Sequence, residues 1–163
     1  MRVFVGLHRG GGFFGAGVRW LTWSPYGHAS LRFGVGASDD LVFEADFDAG
    51  FVQRTRADKE GPVTWFEITD SLFPRQRIAL LYAAVRMKGA KYDRWGVARF
   101  LPIVRLFYRG DAFSTRKRVF CSEAIILLAQ SVGLHLLVRI APHRVAPGDL
   151  AMSPYLVDAP DVA

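Results

Sequence analysis

The sequence predicts a single α+β domain over residues 1–163, with an antiparallel sheet packed against helices. Three observations carry that expectation. Short runs rich in β-forming residues crowd the first part of the chain and are separated by glycine-containing turns. Stretches with three- and four-residue apolar spacing follow them. A length of 163 residues, with 51% hydrophobic and 22% charged, supports one core and leaves little room for a second.

Arg2 to Leu7 reads as the first strand. It runs into Gly10-Gly11-Gly12-Phe13-Phe14-Gly15-Ala16-Gly17, which contains G-x-G-x-x-G. A dinucleotide loop also needs a sustained helix and an acidic residue about 20 positions on. Val18 to Trp23 allows barely two turns before Ser24-Pro25, so a flexible, close-packed loop is expected here. Two strands follow, His28 to Phe33 and Asp39 to Ala45, joined by the turn Gly34-Val35-Gly36-Ala37-Ser38. Side chains alternate along a strand, so His28, Ser30 and Arg32 share one face. A five-residue turn would pair Phe33 with Asp39 and set His28 opposite Glu44. A two-residue slip would carry Glu44 toward Arg32, but parity keeps His28 and Glu44 on one face in either register.

Phe51 to Gly61 is polar and reads as a loop or edge, and Val63 to Ile68 as another strand. A helix is expected next, with Ser71 as its cap and Pro74 in its first turn. Its buried stripe would be Ile78, Leu81, Tyr82 and Val85, and Gly89 would stop it. Arg75, Arg77, Arg86 and Lys88 would take the solvated side. Lys91 to Gly110 is basic and amphipathic, with Trp95, Phe100, Leu101, Ile103, Leu106, Phe107 and Tyr108 among arginines and Pro102 in the middle. It reads as a broken helix packed on the core, or as an element covering substrate or a membrane surface. Ser122 to Val132 is a strongly apolar helix stopped by Gly133.

Composition excludes several classes of function. Apolar runs are far shorter than the roughly 20 residues that cross a bilayer, and Gly6, His8 and Arg9 interrupt the N-terminus before a signal-peptide core forms. The simplest expected compartment is the cytoplasm, with phage or cell-envelope association as the alternative. A net charge of +6 points to an anionic neighbour. No helix-turn-helix, zinc-finger or RNP-type signature accompanies it, so nucleic acid is not the expected partner. One cysteine permits neither an internal disulfide nor a multi-cysteine metal cluster.

That cysteine, Cys121, lies where an apolar segment meets a helix N-terminus. Free N–H groups there favour a thiolate and can bind an oxyanion. A lone cysteine beside an apolar helix otherwise reads as a small core residue. Catalysis gains support from the combination of Cys121 with strand-borne His28, preceded by Tyr26-Gly27, and the same-face carboxylate of Glu44. A histidine can take the thiol proton and return it to a leaving group while a third residue orients the ring. His8 in or beside the glycine segment, His135 among apolar residues, and His143 after Pro142 read as packing or surface residues. No close ligand pair such as H-x-x-x-H supports zinc, and no G-x-S-x-G elbow supports a serine nucleophile.

The ordered set Tyr26-Gly27-His28-Ala29-Ser30-Leu31, Val42-Phe43-Glu44-Ala45, Lys91-Tyr92-Asp93 and Phe120-Cys121-Ser122-Glu123 resembles a known family. It looks like the circularly permuted branch of the NlpC-type, papain-like cysteine hydrolases, the YiiX/YaeF-like proteins, related to the lecithin retinol acyltransferase group. The resemblance runs from about Val3 to Tyr155, with histidine preceding cysteine as in the permuted branch. It implies a permuted papain-like fold, with Cys121 as nucleophile, His28 as general base and acid, and Glu44 as orienting residue. Tyr92, Tyr26 and Ser122 would form the substrate or oxyanion neighbourhood. Pro147-Gly148-Asp149-Leu150 is similar to a mainly structural signature of the superfamily. The implied substrate is a peptide or cell-wall peptide, with no cofactor and no metal. Acyl lipid and peripheral membrane contact are the alternative, although Glu44 stands where the lipid enzymes use a second histidine. A third expectation is a non-catalytic binding module of the same fold.

Overall fold

A computed structural model describes residues 1–10, 12–34, 40–55, 62–69, 72–98, 100 and 118–160. The sheet contains β1 (Arg2–His8), β2 (His28–Gly34), β3 (Leu41–Asp46), β4 (Gly50–Thr55), β5 (Val63–Ile68) and β8 (Leu156–Asp158). Its six strands run in the order β4-β3-β2-β1-β5-β8, every neighbouring pair antiparallel. A separate parallel pair joins β6 (Lys91–Tyr92) to β7 (Arg118–Val119). The helices are α1 (Gly12–Thr22), α2 (Pro74–Met87), α3 (Arg94–Ala98) and α4 (Cys121–Ser131). The expected α+β architecture, an antiparallel sheet against helices, is what the chain forms.

Period-two alternation builds the core. Val3, Val5 and Leu7 of β1, Ala29, Leu31 and Phe33 of β2, and Phe43 and Ala45 of β3 are buried together. Phe43 makes an edge contact with Phe33 at 5.7 Å and stacks on Phe51 at 6.2 Å. Ala124, Ile125, Leu128 and Ala129 of α4 join the same cluster, and this helix packs against β2 and β3. A helix apolar all round suits that central position.

Several expectations are corrected. The glycine-rich segment is helical: α1 begins at Gly12, where a loop was expected. Glycine is a poor helix former, and tertiary approach holds this helix in place. A Cβ on Gly27 would lie 2.5 Å from the Gly15 carbonyl oxygen, so chain and helix meet backbone to backbone. Strand β1 pairs antiparallel with β2 across this helix, which is not the parallel crossover of a dinucleotide fold.

The β2–β3 register places Ser30 opposite Glu44 and Phe33 opposite Leu41, so Glu44 lies diagonal to His28. Arg32 holds Asp40 in a buried ion pair at the end of the hairpin, drawing Asp40 out of the ladder. The expected turn residues 35–39 lie outside the described residues. Of Phe51 to Gly61, read as loop or edge, the described part agrees with the edge reading: Phe51 to Thr55 lie in the edge strand β4, and residues 56–61 lie outside the described residues.

In α2 the buried residues are Leu80 and Ala84, whereas Ile78, Tyr82 and Val85 are exposed and Leu81 is half-buried. The helix carries apolar residues around most of its circumference, so spacing alone does not select its inner face. Two hydrogen bonds set the rotation: Gln76 donates to the Val132 carbonyl at 2.8 Å, and Arg77 to that of Leu72 at 3.0 Å. Arg77 is therefore bonded to the fold, while Arg75, Arg86 and Lys88 are solvated as expected. The N-cap is Phe73; Ser71 lies outside the described residues. Residues 99 and 101–110 of the amphipathic segment lie outside them as well, as does the side chain of Trp95. Among the described residues no helix is long and apolar enough to cross a membrane.

Candidate active site

The site forms where the start of β2 meets the N-terminus of α4. Phe120 is the N-cap and Cys121 the first helical residue, one position earlier than the sequence reading placed the helix start. Glu123, at the third helical position, accepts the Phe120 N–H through Oε2 at 3.4 Å, which supports the first turn. The N–H groups of Cys121, Ser122 and Glu123 precede the first intrahelical bond, from Ala124 to the Phe120 carbonyl. Ser122 is buried, its hydroxyl donating to the Val145 carbonyl at 2.6 Å. Its contribution at the thiol is its backbone amide.

Cys121 is 4% exposed. Burial pushes its thiol pKa up, but the His28 side-chain hydrogen bond and charge, with the Ala29 and Ser122 amides, bring it below the ordinary thiol value. His28 is 23% exposed, so the ring reaches solvent on one side. Its Nε2 lies 2.7 Å from Glu44 Oε2, which leaves Nδ1 as the ring nitrogen for the sulfur. Glu44 is 3% exposed, and its Oε1 accepts a 2.8 Å bond from Arg54 Nε. Arg54 also binds Asp46 at 3.0 Å. The Asp46 carboxyl is raised by its own burial and lowered further by the Ala49 and Asp48 amides and by Arg54, so it lies below the ordinary carboxylate range.

The structure therefore brings Cys121, His28 and Glu44 into one connected group. Tyr92 lies beside it, because β6 pairs with β7 immediately before Cys121 and the Asp93 amide donates to the Val119 carbonyl at 3.0 Å. Burial, followed by the neighbouring Cys121, Asp93 and Asp46 charges, pushes the Tyr92 phenol far up and keeps it protonated. Tyr26 is half-buried under the Arg9 guanidinium, which sits 5.7 Å from its ring centroid. The Pro147–Met152 segment forms a short 3-10 turn, in which Asp149 accepts the Ala146 amide at 2.8 Å and Leu150 is buried.

One participant, Arg54, escaped the sequence reading, and His8 packs directly on the candidate base. Arg54 sits on a strand read as loop or edge, and no motif marked it. His8 was read as packing or surface; it is buried, paired in register with His28, with ring centroids 5.1 Å apart. Its Nε2 lies 2.8 Å from Ser30 Oγ. The parity that joined His28 to Glu44 could have flagged His8, had the first strand been extended by one residue.

No protein-family profile matches the chain, and no curated protein matches it. Among solved structures, the crystal structure of the metalloprotein yiiX from Escherichia coli O157:H7 is similar, with a TM-score of 0.72 at 16% identity. The match covers 98% of this chain and 96% of that one, and it establishes a yiiX-like fold. Among the described residues of this chain, no group of three or more His, Cys, Asp or Glu side chains is arranged to hold a metal ion. The described residues of this chain therefore offer no such site for the metal that the neighbouring protein is named for.

Proposed function

We propose that the protein is a cysteine hydrolase of the permuted papain-like type, cleaving an amide bond in a peptide or cell-wall peptide through an acyl-enzyme on Cys121. The observation that carries this reading is the Cys121–His28 contact at a helix N-terminus, with Glu44 on the far nitrogen of the ring. His28 on a strand precedes Cys121 on a helix in the chain, which agrees with the permuted order.

In this reading the thiol proton passes to His28, and the sulfur adds to the substrate carbonyl carbon. The Cys121–Glu123 end of α4 offers N–H groups to the resulting oxyanion, and the protonated Tyr92 phenol beside the site can add its O–H. His28 returns the proton to the departing amine as the C–N bond breaks, leaving a thioester. Water, deprotonated by His28, then cleaves the C–S bond to release the acid and restore the thiol. Glu44 holds the imidazole in one tautomer and stabilises its charged form. A binding module with an idle buried thiol gains no support from this contact.

The test is mass spectrometry of the protein quenched at early times with a panel of peptide amides. A substrate-dependent acyl adduct on Cys121, absent in Cys121→Ala, is expected; turnover retained by Cys121→Ala would end the proposal.

A second reading moves the acyl group to a lipid, favoured by one observation. Helix α1 and its exit expose Phe13 at 100%, Trp20 at 74% and Trp23 at 94%. Met1 through Ser38 contains no acidic residue; of its four arginines Arg2 pairs with Glu67 and Arg32 with Asp40, and Arg9 and Arg19 lie nearest these aromatics in sequence. Exposed aromatics on a basic, acid-free segment suit a lipid interface. Binding to anionic vesicles at low salt is the expected result, reduced several-fold by Trp20→Ser with Trp23→Ser. Equal binding by the double variant would remove this reading.

A further inference from the structure

A cavity of about 390 Å3 opens beside Tyr92, within the size range of small-ligand sites. Lys91, Arg94 and Arg118 line it, against one lining carboxylate, Asp48. Lys91 and Arg118 are register partners across β6 and β7, so two like charges are held side by side on adjacent strands. Such a pairing is destabilising unless something anionic lies between or in front of the charges. Asp48 does not supply it, since it is highly exposed and approaches Arg94 only to 3.7 Å.

The cavity is tied to the candidate active site by packing. Arg94 lies 4.1 Å over the Phe47 ring, and Phe47 packs on Tyr92 at 5.5 Å. Tyr92 pairs with Val119, two residues before Cys121. Tyr92 thus belongs both to the lining of the cavity and to the surroundings of the thiol.

We infer that this cavity is an oxyanion subsite, where Lys91, Arg118 and Arg94 hold a carboxylate or phosphate group of the substrate while its scissile carbonyl lies at Cys121. The inference rests on the proposed nucleophile, and it narrows the substrate class to acyl compounds bearing an anionic group close to the cleaved bond. Arginine and lysine together suit a carboxylate or phosphate better than an apolar side chain. Carboxylate and phosphate are the two sources of the same chemistry, and separate probes distinguish them.

The carboxylate probe is the alkylation of Cys121 by N-iodoacetylglycine compared with its neutral carboxamide. The acid is expected to react several-fold faster than the amide in the native protein. In Lys91→Gln with Arg118→Gln the ratio should fall toward one, with the amide rate little changed. The charge-conserving Lys91→Arg with Arg118→Lys should keep the ratio. Rapid amide labelling with an acid preference that the Gln pair leaves unaltered overturns the subsite and leaves the nucleophile intact. Labelling no faster than that of an unfolded cysteine by either reagent overturns the nucleophile instead.

The cavity is then judged by the phosphate probe, inorganic phosphate followed by thermal shift. A dose-dependent rise in Tm lost in the Gln pair supports an anion site, and an equal rise in both proteins overturns it. A phosphate effect without a carboxylate preference assigns the subsite to phosphorylated substrates.

Discussion

Replacing His28 with Ala is expected to slow alkylation of Cys121 by iodoacetamide at pH 7 at least about tenfold, and amide hydrolysis roughly 100- to 10,000-fold. Three influences meet at the sulfur. Burial disfavours the thiolate and is the largest of them; the His28 bond and charge, with two backbone amides, outweigh it. Removing the imidazole takes away the bond and charge that lower the thiol pKa and leaves the burial that raises it, so the pKa moves up from its lowered position. An ordinary thiol is only a few per cent ionised at pH 7, and the variant should move toward that state. The rate–pH profile separates this from a simple loss of access. In the native protein alkylation should rise with pH through a midpoint below the usual thiol range, whereas in His28→Ala the same rise should shift to alkaline pH. Equal profiles in the two proteins would mean that His28 does not govern the thiol, and the acyl-enzyme proposal would fail with it.

The parts of this site that were legible in the sequence depend on short-range rules. Strand parity put His28 and Glu44 on one face whatever the register, and the apolar run after Cys121 marked a helix that begins at the thiol. The parts that were not legible depend on distant partners. The observed hairpin register comes together with a buried Arg32–Asp40 pair, which no turn-length rule contains. Arg54 reaches Glu44 only because β4 lies next to β3, with Val52 opposite Glu44. The glycine-rich helix α1 defies its own propensity, and the Gly15–Gly27 approach explains why a residue without a Cβ stands at 27, where the chain meets the helix. Likewise, the inner face of α2, Leu80 and Ala84, goes with Gln76 reaching the Val132 carbonyl, a distant partner that the apolar period does not show.

Glu44→Gln should behave as a severe substitution despite its conserved shape. The Glu44 carboxylate accepts from two donors at once, His28 on one oxygen and Arg54 on the other. An amide has one accepting oxygen and one donating nitrogen. If the oxygen faces His28, the amide nitrogen meets Arg54 donor to donor. If it faces Arg54, the imidazole must present a bare Nε2 and carry its proton on Nδ1, the wrong tautomer for taking a proton from the thiol. Both arrangements lose the negative charge that stabilises protonated His28, so alkylation of Cys121 at pH 7 and turnover should both drop, turnover more. Stability should fall by about 2 kcal/mol, the scale of a hydrogen bond to a charged group, because the lost acceptor is buried. The Arg54 share of that cost is smaller, since Arg54 is partly solvated and keeps its bond to Asp46. Arg54→Met should therefore cost less than Glu44→Gln in urea denaturation. Adding Arg54→Met to Glu44→Gln removes the opposing donor and lets the amide oxygen face His28, so the pair should cost less than the two singles together, and the labelling rate should partly recover. Additive stabilities with no recovery of labelling would show that Arg54 does not dictate how residue 44 meets His28.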